Sequence, residues 1–121
     1  MIINSTTQKS SSFESLSLGQ QVELINYVNG LIQGALAFRK KFTTADLVGG
    51  KFRNWSHTPL DYVYQYHLNR NIDNPEVESG KDIGRIVKYI MSIDKYRVYR
   101  IVGEEQRKYP INLYELVKIK D

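Results

Sequence analysis

The sequence predicts an α+β fold, a mainly helical chain that ends in a β-hairpin. Apolar residues recur at intervals of three and four through most of residues 16–92, the period of helices with one buried face. Two later segments, Tyr96-Arg-Val-Tyr-Arg-Ile-Val102 and Ile111-Asn-Leu-Tyr-Glu-Leu-Val-Lys-Ile119, alternate instead and are rich in β-branched and aromatic residues. The chain has 121 residues, 41% of them hydrophobic and 25% charged, which suits one domain with one core.

Residues 1–14 are dominated by Ser, Thr, Asn and Gln, so they are expected to be a flexible polar tail outside a single domain over 15–121. A long helix follows over about 17–38. Its apolar face is Leu18, Val22, Ile25, Val28, Ile32 and Ala35, and Ser17 with Gln20 forms a capping box. Gly30 and Gly34 lie four apart on it, and each costs about 1 kcal/mol relative to alanine, so a close neighbour is expected there. A crossing within the chain is favoured over a seam between two copies, although a homodimer through this helix fits the same spacing. Arg39, Lys40 and Lys41 then place cations at the helix end.

Phe42-Thr-Thr-Ala-Asp-Leu-Val-Gly-Gly50 reads as a short Thr-capped helix stopped by glycines, and 51–57 as a loop. Thr58-Pro59 restarts a helix to about Asn69, with Thr as cap and Pro at the first helical position. A polar connection over 71–78 leads to a helix over 80–92 that begins at a Ser79 cap. Ile83, Ile86, Val87, Ile90 and Met91 form its apolar stripe, and Lys81, Arg85, Lys88 and Ser92 stand opposite. The two alternating segments then make a hairpin with a loop of about eight residues, 103–110.

Charge is distributed unevenly. Residues 1–78 carry seven Lys/Arg and seven Asp/Glu, and residues 79–121 carry ten and six, so the net charge of +4 resides in the last third. The absence of cysteine excludes disulfides, thiolate zinc sites and a thiol nucleophile. No segment approaches the roughly eighteen apolar residues of a membrane helix, and the polar start lacks the apolar stretch of a signal peptide, so a cytoplasmic protein is expected.

The order of long helix, short Thr-capped helix, helix, basic helix and charged hairpin resembles the winged helix-turn-helix superfamily. The residues that carry the resemblance are Phe42-Thr-Thr-Ala-Asp-Leu47 at the entry to a second helix, Asp82 to Met91, and the following hairpin over 95–119 as a wing. It covers about residues 16–119, and it departs from the superfamily where the 59–69 helix stands between the short helix and the basic one. The resemblance implies a regulatory protein that binds double-stranded DNA without catalysis. Lys81, Arg85, Lys88 and Ser92 would then contact groove and phosphates, and Arg107 and Lys108 at the hairpin tip would contact the backbone.

The same basic residues are also what an ordinary solvated helix face displays. Asp82, Glu104 and Glu105 would oppose a polyanion if they faced it. A second reading is a protein-interaction adaptor using the Trp55, Tyr62, Tyr64 and Tyr66 surface of an aromatic cluster that includes Phe52, since three tyrosines at 62, 64 and 66 on one helix cannot all face one core and exposed aromatics anchor interfaces. Enzymatic readings find little: His57 and His67 lack metal-ligand spacing, and no nucleophile elbow, phosphate loop or dinucleotide fingerprint occurs. Asp73, Glu76, Glu78 and Lys81 weakly resemble a nuclease set, but on a proline-containing connection. No cofactor and no metal are expected.

Overall fold

The computed structural model describes residues 1–48 and 55–120. Five helices, α1 (Ser11–Glu14), α2 (Leu18–Leu36), α3 (Thr44–Val48), α4 (Leu60–Leu68) and α5 (Pro75–Ile93), accompany strands β1 (Lys41–Phe42), β2 (Arg97–Glu105) and β3 (Ile111–Ile119). The fold is α+β, and its antiparallel sheet has the order β1-β3-β2. Among the described residues no helix is long and apolar enough to cross a membrane.

The Ser17–Gln20 capping box opens α2, with both reciprocal bonds at 3.1 Å. The row turned inward is Leu24, Val28 and Ile32. At about 100° per residue, Leu18 and Val22 lie well around the helix from that row, and Leu18 is left 78% exposed. Gly30 and Gly34 are exposed, and a Cβ built on either meets nothing within 4 Å. The close crossing expected there is not present among the described residues.

Past α2 the chain enters the sheet, an excursion the Arg39-Lys40-Lys41 run conceals. Lys41 pairs with Glu115 and Phe42 with Tyr114. The Phe42 ring meets those of Tyr99 at 6.1 Å and Tyr114 at 6.0 Å, so the short strand contributes the centre of an aromatic core. Burial pushes the Tyr99 hydroxyl up to about 12 against the opposing pull of Arg97. Thr43 and Asp46 cap α3 reciprocally, Asp46 N–H donating to Thr43 Oγ1 at 3.2 Å and Thr43 N–H to Asp46 Oδ2 at 2.8 Å. The glycines expected to stop α3, and Phe52, lie outside the described residues.

Pro59 occupies the cap position of α4, while the Thr58 hydroxyl donates to the Trp55 carbonyl at 2.7 Å instead of capping. The basic helix begins earlier than the expected Ser79. Pro75 takes the first helical position, Glu76 and Glu78 suit the positive end of the dipole, and Ser79 is buried in the helix interior. Ile83, Ile86, Val87, Ile90 and Met91 are buried, as the stripe requires. The hairpin is connected by residues 106–110, shorter than expected, because β2 continues through Glu105 and pairs it with Ile111.

Residues 1–14 are part of the fold, contrary to the expectation of a polar tail. Ile2 and Phe13 are core residues. Ile3 N–H donates to the Tyr99 carbonyl at 2.9 Å, and the Asn4 side-chain amide makes two bonds of 2.9 Å with the Ile101 backbone, completing the free edge of β2 much as another strand would. Ser10 caps α1 through Phe13 N–H, and the Phe13 ring packs 5.5 Å from that of Tyr89 on α5. Composition misleads here because two apolar anchors suffice when the polar residues between them serve as caps and strand partners. Phe13→Ala is therefore expected to destabilise the protein by about 3–5 kcal/mol in urea unfolding, whereas Leu18→Ala on exposed α2 stays within about 0.5 kcal/mol. Equal, small effects would return residues 1–14 to the status of a tail.

Candidate nucleic-acid interface

The exposed side of α5 carries Gly80, Lys81 and Arg85, with Gly84 and Lys88 half-buried at its margin. Between Ser79 and Ile93 the only acidic residue is Asp82, and its position decides the field over this strip. The expectation that Asp82 would face a polyanion does not hold. Its carboxylate is buried and directed into the protein.

Two hydrogen-bonding groups and one cation surround it. Ser12 Oγ donates to Asp82 Oδ2 in a short hydrogen bond, and His67 Nε2 lies 2.9 Å from the same oxygen. Arg85 stands 3.7 Å from Oδ1. Arginine is a donor only, so the 3.1 Å contact from Arg70 to His67 Nδ1 makes that nitrogen the acceptor and leaves the ring proton on Nε2, aimed at Asp82. Ser12, having given its own proton to Asp82, accepts from Ser10 Oγ at 3.1 Å. The chain of donors is complete, which is what a charge so placed demands. Its connectivity is not that of a nucleophilic relay, since the serine donates to the carboxylate and not to the imidazole.

The remaining expected contact residues fall into two groups. Lys81 is 3.6 Å from Glu78 and stacks over the Tyr109 ring at 4.5 Å, so the tip of the hairpin folds back against the exposed side of α5. Lys108 approaches the same ring at 5.6 Å and is exposed. Arg107 forms an ion pair with Glu105, which offsets its charge within the tip. The Ser92 hydroxyl donates to the Tyr89 carbonyl at 2.5 Å, so its one proton is not free for a phosphate oxygen.

A further group comes from the segment composition had set aside. Thr6, Thr7, Gln8, Lys9 and Ser10 run beside Arg85 and Lys88, and together they line an open groove of about 420 Å³. Lys9 Nζ stands 5.7 Å from the centre of the Tyr89 ring. Among the described residues neither Lys9 nor Lys88 is ion-paired with a carboxylate. Nothing in the local sequence signals this juxtaposition, which depends on a hydrogen bond between residues 70 positions apart.

The aromatic group divides differently from the expected surface. Trp55 is a core residue and cannot serve as an exposed anchor. Tyr62 donates to Glu23 at 2.8 Å, and Tyr64 packs against the core, leaving Tyr66 half-buried against His67. Asp73, Glu76 and Glu78 do not assemble a metal site, and among the described residues no three His, Cys, Asp or Glu side chains do. Comparison with protein-family models, curated proteins and solved structures finds no match to this chain.

Removing the carboxylate at position 82 leaves the His67 N–H and the Ser12 hydroxyl buried without their acceptor. Asp82→Ala is expected to cost about 3 kcal/mol in denaturant unfolding. A loss below about 0.5 kcal/mol would mean that this network does not hold α1, α4 and α5 together.

Proposed function

We propose that the protein binds double-stranded DNA non-catalytically, in a regulatory role, with the exposed side of α5 in a groove and the β2–β3 hairpin as a wing. The observation that carries this reading is the cationic strip of Lys81, Arg85 and Lys88, from which the one intervening carboxylate, Asp82, is withdrawn into the core. A guanidinium at position 85 suits paired acceptors on guanine, and the two ammonium groups suit phosphates. Gly80 leaves the helix backbone open on this side, and among the described residues a Cβ built on Gly80 or Gly84 meets within 4 Å only the Thr44 hydroxyl, 3.8 Å from Gly84. The cost of two helical glycines is then offset by a partner that approaches the backbone closely.

Topology supports the winged-helix reading. A strand between α2 and α3 joins a C-terminal hairpin in the order β1-β3-β2, and α5 enters that hairpin directly. The additional helix α4 packs on α5 and is linked to it through His67 and Asp82, so it takes the place of the helix that precedes the recognition helix. Residues 69–74 form the connection, longer than the usual turn of three or four residues. Lys108, exposed at the tip, is the backbone contact of the wing, and Arg107 is less available because Glu105 holds it.

A second reading concerns self-association. Val22 is exposed on the side of α2 that also bears Gly30 and Gly34, and two copies crossing there would set the valine of each near the glycines of the other. Such a pair would present two α5 helices to a palindromic site.

Fluorescence anisotropy with a duplex containing a selected site, at about 50 mM and about 200 mM salt, tests the main reading. Binding is expected to weaken steeply with salt, and Arg85→Ala is expected to lose about 1–3 kcal/mol while Lys108→Ala mainly lowers the salt slope. Binding by both variants equal to that of the unmodified protein would remove α5 and the wing from the interface.

A further inference from the structure

The groove between the N-terminal segment and α5 has no place in the interface as the sequence presents it. We propose that it is a phosphate seat, in which Lys9 of the segment and Arg85 and Lys88 of α5 hold one phosphate oxyanion, with the hydroxyls of Thr6 and Thr7 around it. Three cations and the Thr6 and Thr7 hydroxyls line one opening of about 420 Å³, with no acidic residue among its lining. Arg85 is held beside Asp82, whereas Lys9 and Lys88 face the opening without a carboxylate partner among the described residues, and an anion of two or more oxygens accepts from all three and relieves their mutual repulsion.

The segment is fixed at both ends by groups that the groove does not use. Asn4 is bonded to Ile101 of β2 on one side, and Ser12 is bonded to Asp82 on the other. Residues 6–10 therefore run between two anchors, which hold the backbone at Lys9 beside α5 before any ligand arrives. The Tyr89 ring beneath the Lys9 ammonium narrows its range further, and Tyr89 is itself packed on Phe13. A seat prepared in this way loses little side-chain entropy on binding. Arg85 and Lys88 belong to both the strip and the groove, so the seat lies next to the proposed groove-facing side of α5, where the backbone of a bound duplex would pass.

That the occupant is a nucleic-acid phosphate rests on the DNA-binding reading; the seat itself does not, and a free phosphate or a phosphorylated small molecule has the same chemistry. The test uses the full chain and two probes. Inorganic phosphate is exchanged for chloride at constant ionic strength while the amide NMR signals are followed, and duplex affinity is measured against salt for the unmodified protein, Lys9→Ala, Lys9→Arg and Lys81→Ala. Lys9 is exposed, and preservation of the remaining amide spectrum in Lys9→Ala shows that the variant folds.

The expected result is a saturable shift of the Thr6, Thr7 and Ser10 amides that Lys9→Ala removes and Lys9→Arg retains. With duplex, Lys9→Ala is expected to lower the slope of log K against log salt by about 0.9, one phosphate contact. Saturable shifts together with duplex binding indifferent to Lys9 would assign the seat to a free phosphorylated ligand. If the unmodified protein binds no duplex yet the phosphate shifts occur, the seat stands and the DNA reading falls. If Lys81→Ala weakens duplex binding but Lys9→Ala changes neither slope nor amide shifts, the seat is overturned and the DNA reading stands. Shifts no larger at Thr6–Ser10 than at Lys118 and Lys120 would also overturn it.

Discussion

Asp82 is the constraint on which the arrangement depends. A carboxylate placed among α1, α4 and α5 is tolerable only if donors reach it, and the donors come from a different segment in each case: Ser12 from α1, His67 from α4 and, at its margin, Arg85 from α5 itself. Meeting that requirement closes 70 residues of chain in one direction and fifteen in another. It also fixes the rotation of α5. With Asp82 inward beside Ile83 and Ile86, residues 81, 85 and 88 have only the outward side left to them.

Two consequences for the electrostatics follow from this one placement. Drawing the Asp82 charge inward leaves Glu78, beside Lys81, as the acidic neighbour at the start of the α5 strip, and anchoring Ser12 brings Lys9 alongside it. Several basic residues elsewhere have partners: Arg100 and Lys41 share Glu115, Arg107 has Glu105, and Arg39 has Asp46. The pair with Arg100 holds the Glu115 carboxyl below its ordinary range, as a close guanidinium should. Along the α5 side and its neighbouring groove, Lys9 and Lys88 stand in no ion pair among the described residues. Long-range attraction of a polyanion is directed to such a patch.

Much of the helical scaffold was legible because it is governed by local rules. The Ser17 capping box, the Thr43 cap of α3 and the Ile83–Met91 stripe depend on residues three or four apart, and each takes the position its spacing implies. The alternation that marks β2 and β3 is equally local. What could not be read was non-local. Lys41 and Phe42 have no strand signature of their own and become a strand only because β3 offers an edge. Residues 1–14 pass every composition test for a tail, yet Ile2, Asn4, Ser12 and Phe13 find partners 70 to 97 positions away. The start of α5 was misplaced for a related reason: Ser79 resembles a cap in sequence, but Pro75 and Glu76 nucleate the helix before it. Of the candidate contacts, Lys81, Arg85 and Lys88 share a side by periodicity alone, whereas the diversion of Ser92 to Tyr89, the capture of Arg107 and the arrival of Lys9 required the folded chain.

The central claim is that a withdrawn carboxylate leaves α5 with a cationic strip that receives duplex DNA. It is tested most directly by mapping amide NMR shifts of the full chain as a short duplex is added at low salt. The account predicts that shifts concentrate at residues 77–88 and 106–110, with residues 6–10 joining them, and that they reverse as salt is raised. Shifts confined to α2 or the sheet, or none at all, would contradict it.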